Sequence, residues 1–504
     1  MSLFRINSNV NSMLAQRVLT QHNRSLNKSL EQLSTGYRIN RGGDDPAGLV
    51  ASESLRSEMV SMSAAITNAE RAGHIASVME GGLQEVGGLL QEVQGLIAAN
   101  SSTGGLSHEE KQANQLQIDQ ILQSIDRIAS ATTFNGIKLL NGSQDFHVTN
   151  INSNVTDYSV NSAKLKQGEM LDVDMIVMDS AQRGTLFLNF MVDHVMAGGS
   201  GLEEKFTVEV AGAKGTREFS FSSGTPLASV AEAINLFEDG LGVVAKVSGS
   251  YVKLQSAEFG SDQFVSINVT ATPSGLVGSV DKSSADDTNT LLGADRQFIS
   301  MTGPIHDKGR DISAVINGVA ARGRGLTASI SSDALDMSVS LDGNSAAAQT
   351  VGSLELFRVA NGGMVFNIGP EVNINSQIRL GIGSIASRNL GDAMNGRLDE
   401  LGSGGLFDVG SGKLDDAQQI VSSAIDEVAQ MQGRIGGFQK YVVQSSINSF
   451  GVALENLTAA ESAIRDTDFA QATADLTRHQ VLSQVAVSVL AIANSQAQAV
   501  LALL

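Results

Sequence analysis

The chain has 504 residues, 42% of them hydrophobic, so it can form several domains with ample core. A net charge of −19 and a pI near 4.8 argue against nucleic acid or an anionic membrane as partner. The absence of cysteine excludes disulfides and thiolate metal sites.

Residues 1–17 contain no apolar h-region, so no cleavable secretory signal is expected. The five prolines (Pro46, Pro226, Pro273, Pro304 and Pro370) leave both ends of the chain open to long helices, since proline costs about 3 kcal/mol inside one. Residues 4–39 read as the first helix, with Leu26, Leu30, Leu33 and Tyr37 at steps of three and four. The stretch Arg41 to Pro46 breaks it. Its two glycines permit a turn, Asp45 is a candidate N-cap, and Pro46 suits a first helical position. A helix of about 80 Å is expected from Ala47 to Ala99, at ~1.5 Å per residue. Ala69, Ala76, Met79, Leu83, Val86, Leu90, Val93 and Ile97 mark one of its faces. Ser107 to Glu110 is a capping box opening a third helix to about Ala131. Asn135-Gly136 and Asn141-Gly142 then flank a short apolar run as hairpin turns.

From about 146 to 372 the texture is that of strands. Alternating runs such as Phe206–Val210 and Phe264–Val269 are punctuated by Gly, Ser, Thr and Asn, with one helix expected from Leu227 to Glu238. Helical texture returns after Pro370. Asp416 to Ile464 reads as one long helix, with Val428, Met431, Ile435, Phe438 and Val442 on one face. Arg465 to Asp468 interrupts it. The final stretch, Gln480 to Leu504, contains no Asp, Glu, Lys or Arg, and Leu482, Val485, Val489, Ile492, Gln496, Ala499 and Leu503 recur at coiled-coil steps. Such a tail must be covered by its own domain, by a membrane or by other copies of the chain. Ser483, Gln484, Asn494 and Gln498 would all enter hydrocarbon and no basic cluster flanks the segment, which argues against a membrane anchor.

The two ends mirror each other, and their long stripes are most simply buried by antiparallel pairing. The expected fold class is multidomain α+β, with terminal paired helices forming a coiled-coil or bundle core and β-rich outer domains inserted between the halves. Nothing here reads as an enzyme. Gly381-Ile382-Gly383-Ser384-Ile385-Ala386 matches a dinucleotide-loop pattern, with Asp399 downstream. It lacks repeated βαβ units around it, so it is read as a connecting strand and turn. The seven histidines show no i,i+4 pair, and no catalytic residue, cofactor or metal site is expected.

The sequence resembles the bacterial flagellins. The likeness lies in Ile6-Asn7-Ser8-Asn9, in Leu33 to Asn40, in Asp44-Asp45-Pro46-Ala47-Gly48-Leu49 and in Thr133 to Leu140. At the other end it lies in Leu454 to Thr458, Ile464 to Ala470, Thr477 to Leu482 and Ser488 to Asn494. The resemblance implies a secreted subunit of the extracellular flagellum, exported through the type III apparatus, that self-assembles into a helical filament for motility. It implies as partners other copies of the chain, an export chaperone at the C-terminal segment, and hook-junction and cap proteins. The alternatives are a hook–filament junction protein or another surface-exposed helical filament or adhesin protein. Residues 1–45 and 465–504 would form the inner filament core, and 46–145 with 370–464 the outer tube. Residues 146–202 with 276–369 would be an outer β domain, and 203–275 an inserted β module. Inter-subunit packing would fall to Leu26, Leu30, Leu33, Leu482, Val485, Val489, Ile492 and Leu503. The spoke turns would be Arg41, Asp44, Asp45, Pro46, Arg465, Asp466 and Asp468. Many flagellins are sensed by a vertebrate Toll-like receptor. The corresponding positions here are Gln91, Glu92, Leu96, Gln117 and Ile121; the last two replace a Glu and an Arg, so weak stimulation is expected.

Overall fold

A computed structural model describes residues 9–101, 107–166, 168–190, 195, 205–272, 278–283, 291–298, 301, 303–332, 334–343, 351–392 and 396–501. Eight α-helices lie among them: α1 (Val10–Thr35), α2 (Pro46–Asn100), α3 (His108–Ala131), α4 (Leu227–Asn235), α5 (Glu238–Leu241), α6 (Leu414–Gly437), α7 (Gln444–Arg465) and α8 (Phe469–Leu501). The chain divides into two compact units. The first comprises Met1–His74, Asn367–Ser376 and Gly437–Leu504; the second comprises Ile75–Phe366 and Gln377–Gly436.

Local chemistry sets most helix ends. The Asn9 side chain caps α1, and Gly36, at φ +79°, closes it, so the helix stops well short of the expected residue 39. A left-handed residue at that place satisfies the last carbonyls, and glycine adopts it without steric cost. Asp45 caps α2, its carboxylate accepting from the Gly48 amide at 2.9 Å. Ser107 and Glu110 form the reciprocal capping box at α3. The inner row of α2 runs Ala65, Ala69, Ala72, Ala76, Met79, Leu83, Val86, Leu90, Val93 and Ile97, all essentially buried. The paired glycines do not interrupt it. At Gly82 a Cβ would sit 2.7 Å from Leu140 Cδ1, so glycine there lets the chain after α3 approach the helix.

The long helix expected over 416–464 is a continuous helical run but not a uniform one. Phe438–Val443 is π-helical, and the Gln444 amide donates to Gln439 O, five residues back. The buried row therefore steps Ile435, Phe438, Val443, and the expected Val442 is only half-buried. In the first unit Val443 Cγ1 packs 3.4 Å from the place a Cβ on Gly73 would occupy.

The β-rich part of the second unit has two cores, and every described strand pairing within its sheets is antiparallel. One core lies under a five-stranded sheet in the order 243–248, 251–256, 185–189, 279–283, 291–297 and a four-stranded sheet in the order 305–308, 264–271, 205–212, 216–222. Phe206, Val208, Val230, Ile234, Val252, Val265 and Ile267 fill it, α4 included. The other core lies under the sheet 319–320, 313–316, 171–179, 352–362, 146–149 and the sheet 322–324, 327–331, 335–341, 155–163. Val173, Met175, Met337, Val339 and Phe357 fill that one. The inserted module is thus wider than the expected 203–275. Strand Thr185–Asn189 pairs with both Tyr251–Ser256 and Ser279–Ser283, which draws the flanking chain into it. The expected helix 227–238 divides after Asn235, whose amide both donates to and accepts from Ala245 of the neighbouring strand.

Of the two expected Asn-Gly turns, Asn135-Gly136 is one. It joins Thr133–Phe134 to Ile137–Lys138 with φ +50° and +81°, as a tight hairpin requires. Asn141-Gly142 instead opens a strand paired with Ile382–Ser384. That pairing makes the Gly381–Ala386 motif a strand, as expected.

Candidate assembly site

The first unit pairs α1 with α8 antiparallel. Asn9 Nδ2 donates to Ala493 O at 2.9 Å, and Ser483 Oγ donates to Asn23 Oδ1 at 2.8 Å. The residues that close this seam are small: Ala15, Ser29, Ala472, Ala486 and Ala493 are buried. Small side chains bring the helix axes close and push the larger ones to the flanks. Val485, Val489 and Ile492 remain 51%, 48% and 58% exposed, and Leu30 is exposed as well. Leu26, Leu33 and Leu482 are half-buried. Leu14, Val18, Leu482, Val485, Val489 and Ile492 line an open apolar groove of about 490 Å³ along the pair. Leu503 lies outside the described residues. His22 and His479 face each other across the pair with ring centroids 6.3 Å apart.

A joint ties these helices to the start of α2 and the end of α7. Arg38 N donates to Arg465 O at 2.7 Å, and Thr467 N donates to Gly36 O at 2.9 Å. Tyr37 and Asp466 form an isolated bridge, which holds Tyr37 outside the helix that its spacing suggested. The Arg465 guanidinium pairs with Glu53 at 2.8 Å and lies over the Tyr37 ring at 4.9 Å. Arg41 pairs with Glu31 at 2.8 Å. Asp44 pairs with Lys28 at 2.8 Å and accepts from the Asn40 and Arg41 amides. The Lys28 hydrogen bond holds the Asp44 carboxyl below the usual range, against the opposing effect of burial. Asp468 opens α8, its carboxylate accepting from the Ala470 and Gln471 amides at 2.9 and 3.1 Å. The joint thus brings Arg41, Asp44, Asp45, Pro46, Arg465, Asp466 and Asp468 into the turns where they were expected.

Residues 6–145 match the bacterial flagellin N-terminal helical region, and residues 418–504 match the bacterial flagellin C-terminal helical region. Flagellin B of Helicobacter pylori is 28% identical over 99% of this chain and 99% of its own length. The chain belongs to the bacterial flagellin family. The B-type flagellin of Pseudomonas aeruginosa is likewise 28% identical, over 99% of each chain. The solved structure of FliC from Burkholderia pseudomallei covers 74% of this chain and 99% of that chain at 14% identity, with a TM-score of 0.23. No argument rests on that likeness.

Against this family background, the receptor positions divide. Gln91, Glu92 and Gln117 are exposed, and Leu96 is half-buried. Ile121 does not face outward: it is buried in the inner row of α3 with Ile118, Leu122 and Ile125. Its place on that row follows from the three-four step, which makes it core rather than a contact surface. Sequence reasoning also missed a polar ladder on α3. Gln115 donates to Leu401 O and accepts from the Val409 amide, Asp119 accepts from the Ser403 amide, and Asp126 accepts from the Ser387 amide and hydroxyl. These side chains pin residues 387–409 along the helix. Their partners lie more than 250 positions away in the sequence, so no local signal could have revealed them. Among the described residues no helix is long and apolar enough to cross a membrane.

Proposed function

We infer that this chain is the structural subunit of the bacterial flagellar filament, polymerising with copies of itself to serve motility. One observation carries the reading beyond family membership. The α1–α8 pair closes on alanines and leaves Val485, Val489 and Ile492 about half exposed. Each such side chain gains about 1.5–3 kcal/mol when fully buried, and in a filament neighbouring copies would supply that cover. In this reading 1–45 and 465–504 form the inner core, 46–145 and 370–464 the surrounding tube, and the β-rich domains project outward. Leu26, Leu30, Leu33, Leu482, Val485, Val489, Ile492 and Leu503 pack between subunits. Export proceeds through the flagellar type III apparatus to the cell exterior, with a chaperone covering the C-terminal segment. Hook-junction and cap proteins bound the filament, and the chain performs no catalysis.

Seeding the purified full-length protein with filament fragments and viewing it by negative-stain microscopy tests this. Long filaments are expected. A discrete, non-growing particle under the same seeding would overturn it in favour of a hook–filament junction protein.

A further inference from the structure

Within the second unit, α6 meets the β strands through an unusual set of charges. Glu427, Met431 and Arg434 share one face of the helix at steps of four and three. Glu427 Oε2 accepts from the Gly391 amide at 3.3 Å. Met431 Cε lies 3.6 Å, and Asp145 Oδ2 3.9 Å, from the point where a Cβ on Gly383 would sit.

The charged groups facing this surface come from every element around it. Asp157 and Tyr158 lie on strand Val155–Ala163, and Asp336 on Leu335–Leu341. Asp392 and Arg397 lie on the small hairpin 391–397, and Asp145 on the turn before Phe146. Asp336 is engaged by Asn161 Nδ2 and Ser331 Oγ, each at 2.7 Å. Arg397 turns one nitrogen onto the carbonyls of Asn389 and Gly391. The carboxyls of Asp145, Asp157, Asp336, Asp392 and Glu427 thus face only two guanidiniums, Arg397 and Arg434. A seam so constituted cannot hold all its carboxyls ionised without repulsion in a poorly solvated place.

Burial pushes Glu427 up to about 7. The Gly391 amide and the Arg397 and Arg434 charges oppose that rise, and Asp157 adds to it. Burial likewise raises Asp145 and Asp157.

We propose that this seam is a proton-operated latch: protonated Glu427 holds α6 against the β strands, and its ionisation loosens them as the surroundings turn from mildly acidic to alkaline. The sign follows from linkage. The folded seam binds the Glu427 proton more tightly than the unfolded chain does. Its contribution is therefore complete below pH 4.5 and is lost as pH rises through about 7. The full swing corresponds to a change on the order of a hundredfold in the opening equilibrium.

Hydrogen exchange on the full-length monomer at pH 5 and pH 8, corrected for intrinsic rates, reads this opening. Protection of the Gly391 amide and of the α6 amides around Glu427 is expected to fall on the order of a hundredfold in the wild type. Glu427→Gln, which cannot ionise, is expected to hold that protection constant between the two values. Equal wild-type protection at both pH values, or an unchanged loss in Glu427→Gln, overturns the latch. A carboxyl NMR titration of the wild type, with glutamate labelled, tests it without any variant. A Glu427 midpoint near 7 supports the latch, and one near 4.5 overturns it.

Discussion

The α1–α8 pair and the helical part of the second unit solve the same problem in opposite ways. In the second unit, Met79, Leu83, Val86, Leu90, Ile118, Ile125, Ile420 and Val421 are buried almost completely, with the large side chains at the seam. In the terminal pair the seam belongs to Ala15, Ala486 and Ala493, and the large side chains flank it in the open. Apolar burial returns only about 25 cal/mol per Å², while fixing each residue costs roughly 1–2 kcal/mol of backbone entropy. Helices that meet through methyl groups gain little from one another. The difference teaches that the second unit has a complete core of its own, whereas the terminal pair presents its largest apolar side chains to whatever comes next.

The strongest way to break that comparison is to charge the open flank. Val489→Asp or Ile492→Lys is expected to abolish filament growth under seeding, because a charge buried without a partner is strongly disfavoured. The thermal transition of the monomer's second unit is expected to stay in place. Normal filaments on electron microscopy would show that this flank is not a subunit interface. Leu83→Ala probes the opposite region and should cost about 2–5 kcal/mol in urea unfolding of the full-length monomer, with Val489→Ala under about 0.5 kcal/mol. Equal losses would erase the contrast.

A finer test concerns the entry to α8. Asp468→Ala removes the acceptor for the Ala470 and Gln471 amides, and loss of such a cap costs about 0.5–2 kcal/mol. Faster hydrogen exchange at those two amides, with little change in the middle of α2, is the expected readout. The smallest effect is expected from removing the outer domains. Phe146 and Gly381 lie against each other, a Cβ at Gly381 meeting the Phe146 ring at 2.7 Å. A short Gly-Ser linker in place of 146–380 therefore spans a small gap. Filaments of near-normal length are expected, and a failure to assemble with the helices still folded would assign the outer domains a part in polymerisation.

By itself the sequence determined what depends on a few neighbouring residues. The Ser107 capping box, the Asp45 cap before Pro46, the Asn135-Gly136 turn and the long inner row of α2 were all legible. Each rests on backbone groups or side chains within about one turn of each other, where spacing and residue type are sufficient. Only the tertiary structure decided which face of α8 closes on α1, because its alanines and its valines both repeat at helical steps. It also decided the limits of the inserted module, since Thr185–Asn189 finds its partners some sixty residues and more along the chain. The π-helical stretch at Phe438–Val443 shifts the buried position by one residue, and a regular period cannot announce that shift. Glu427 reads in sequence as an ordinary exposed acid on an amphipathic helix. Its environment is made by strands and a hairpin from four other places in the chain, so its chemistry comes from the fold alone.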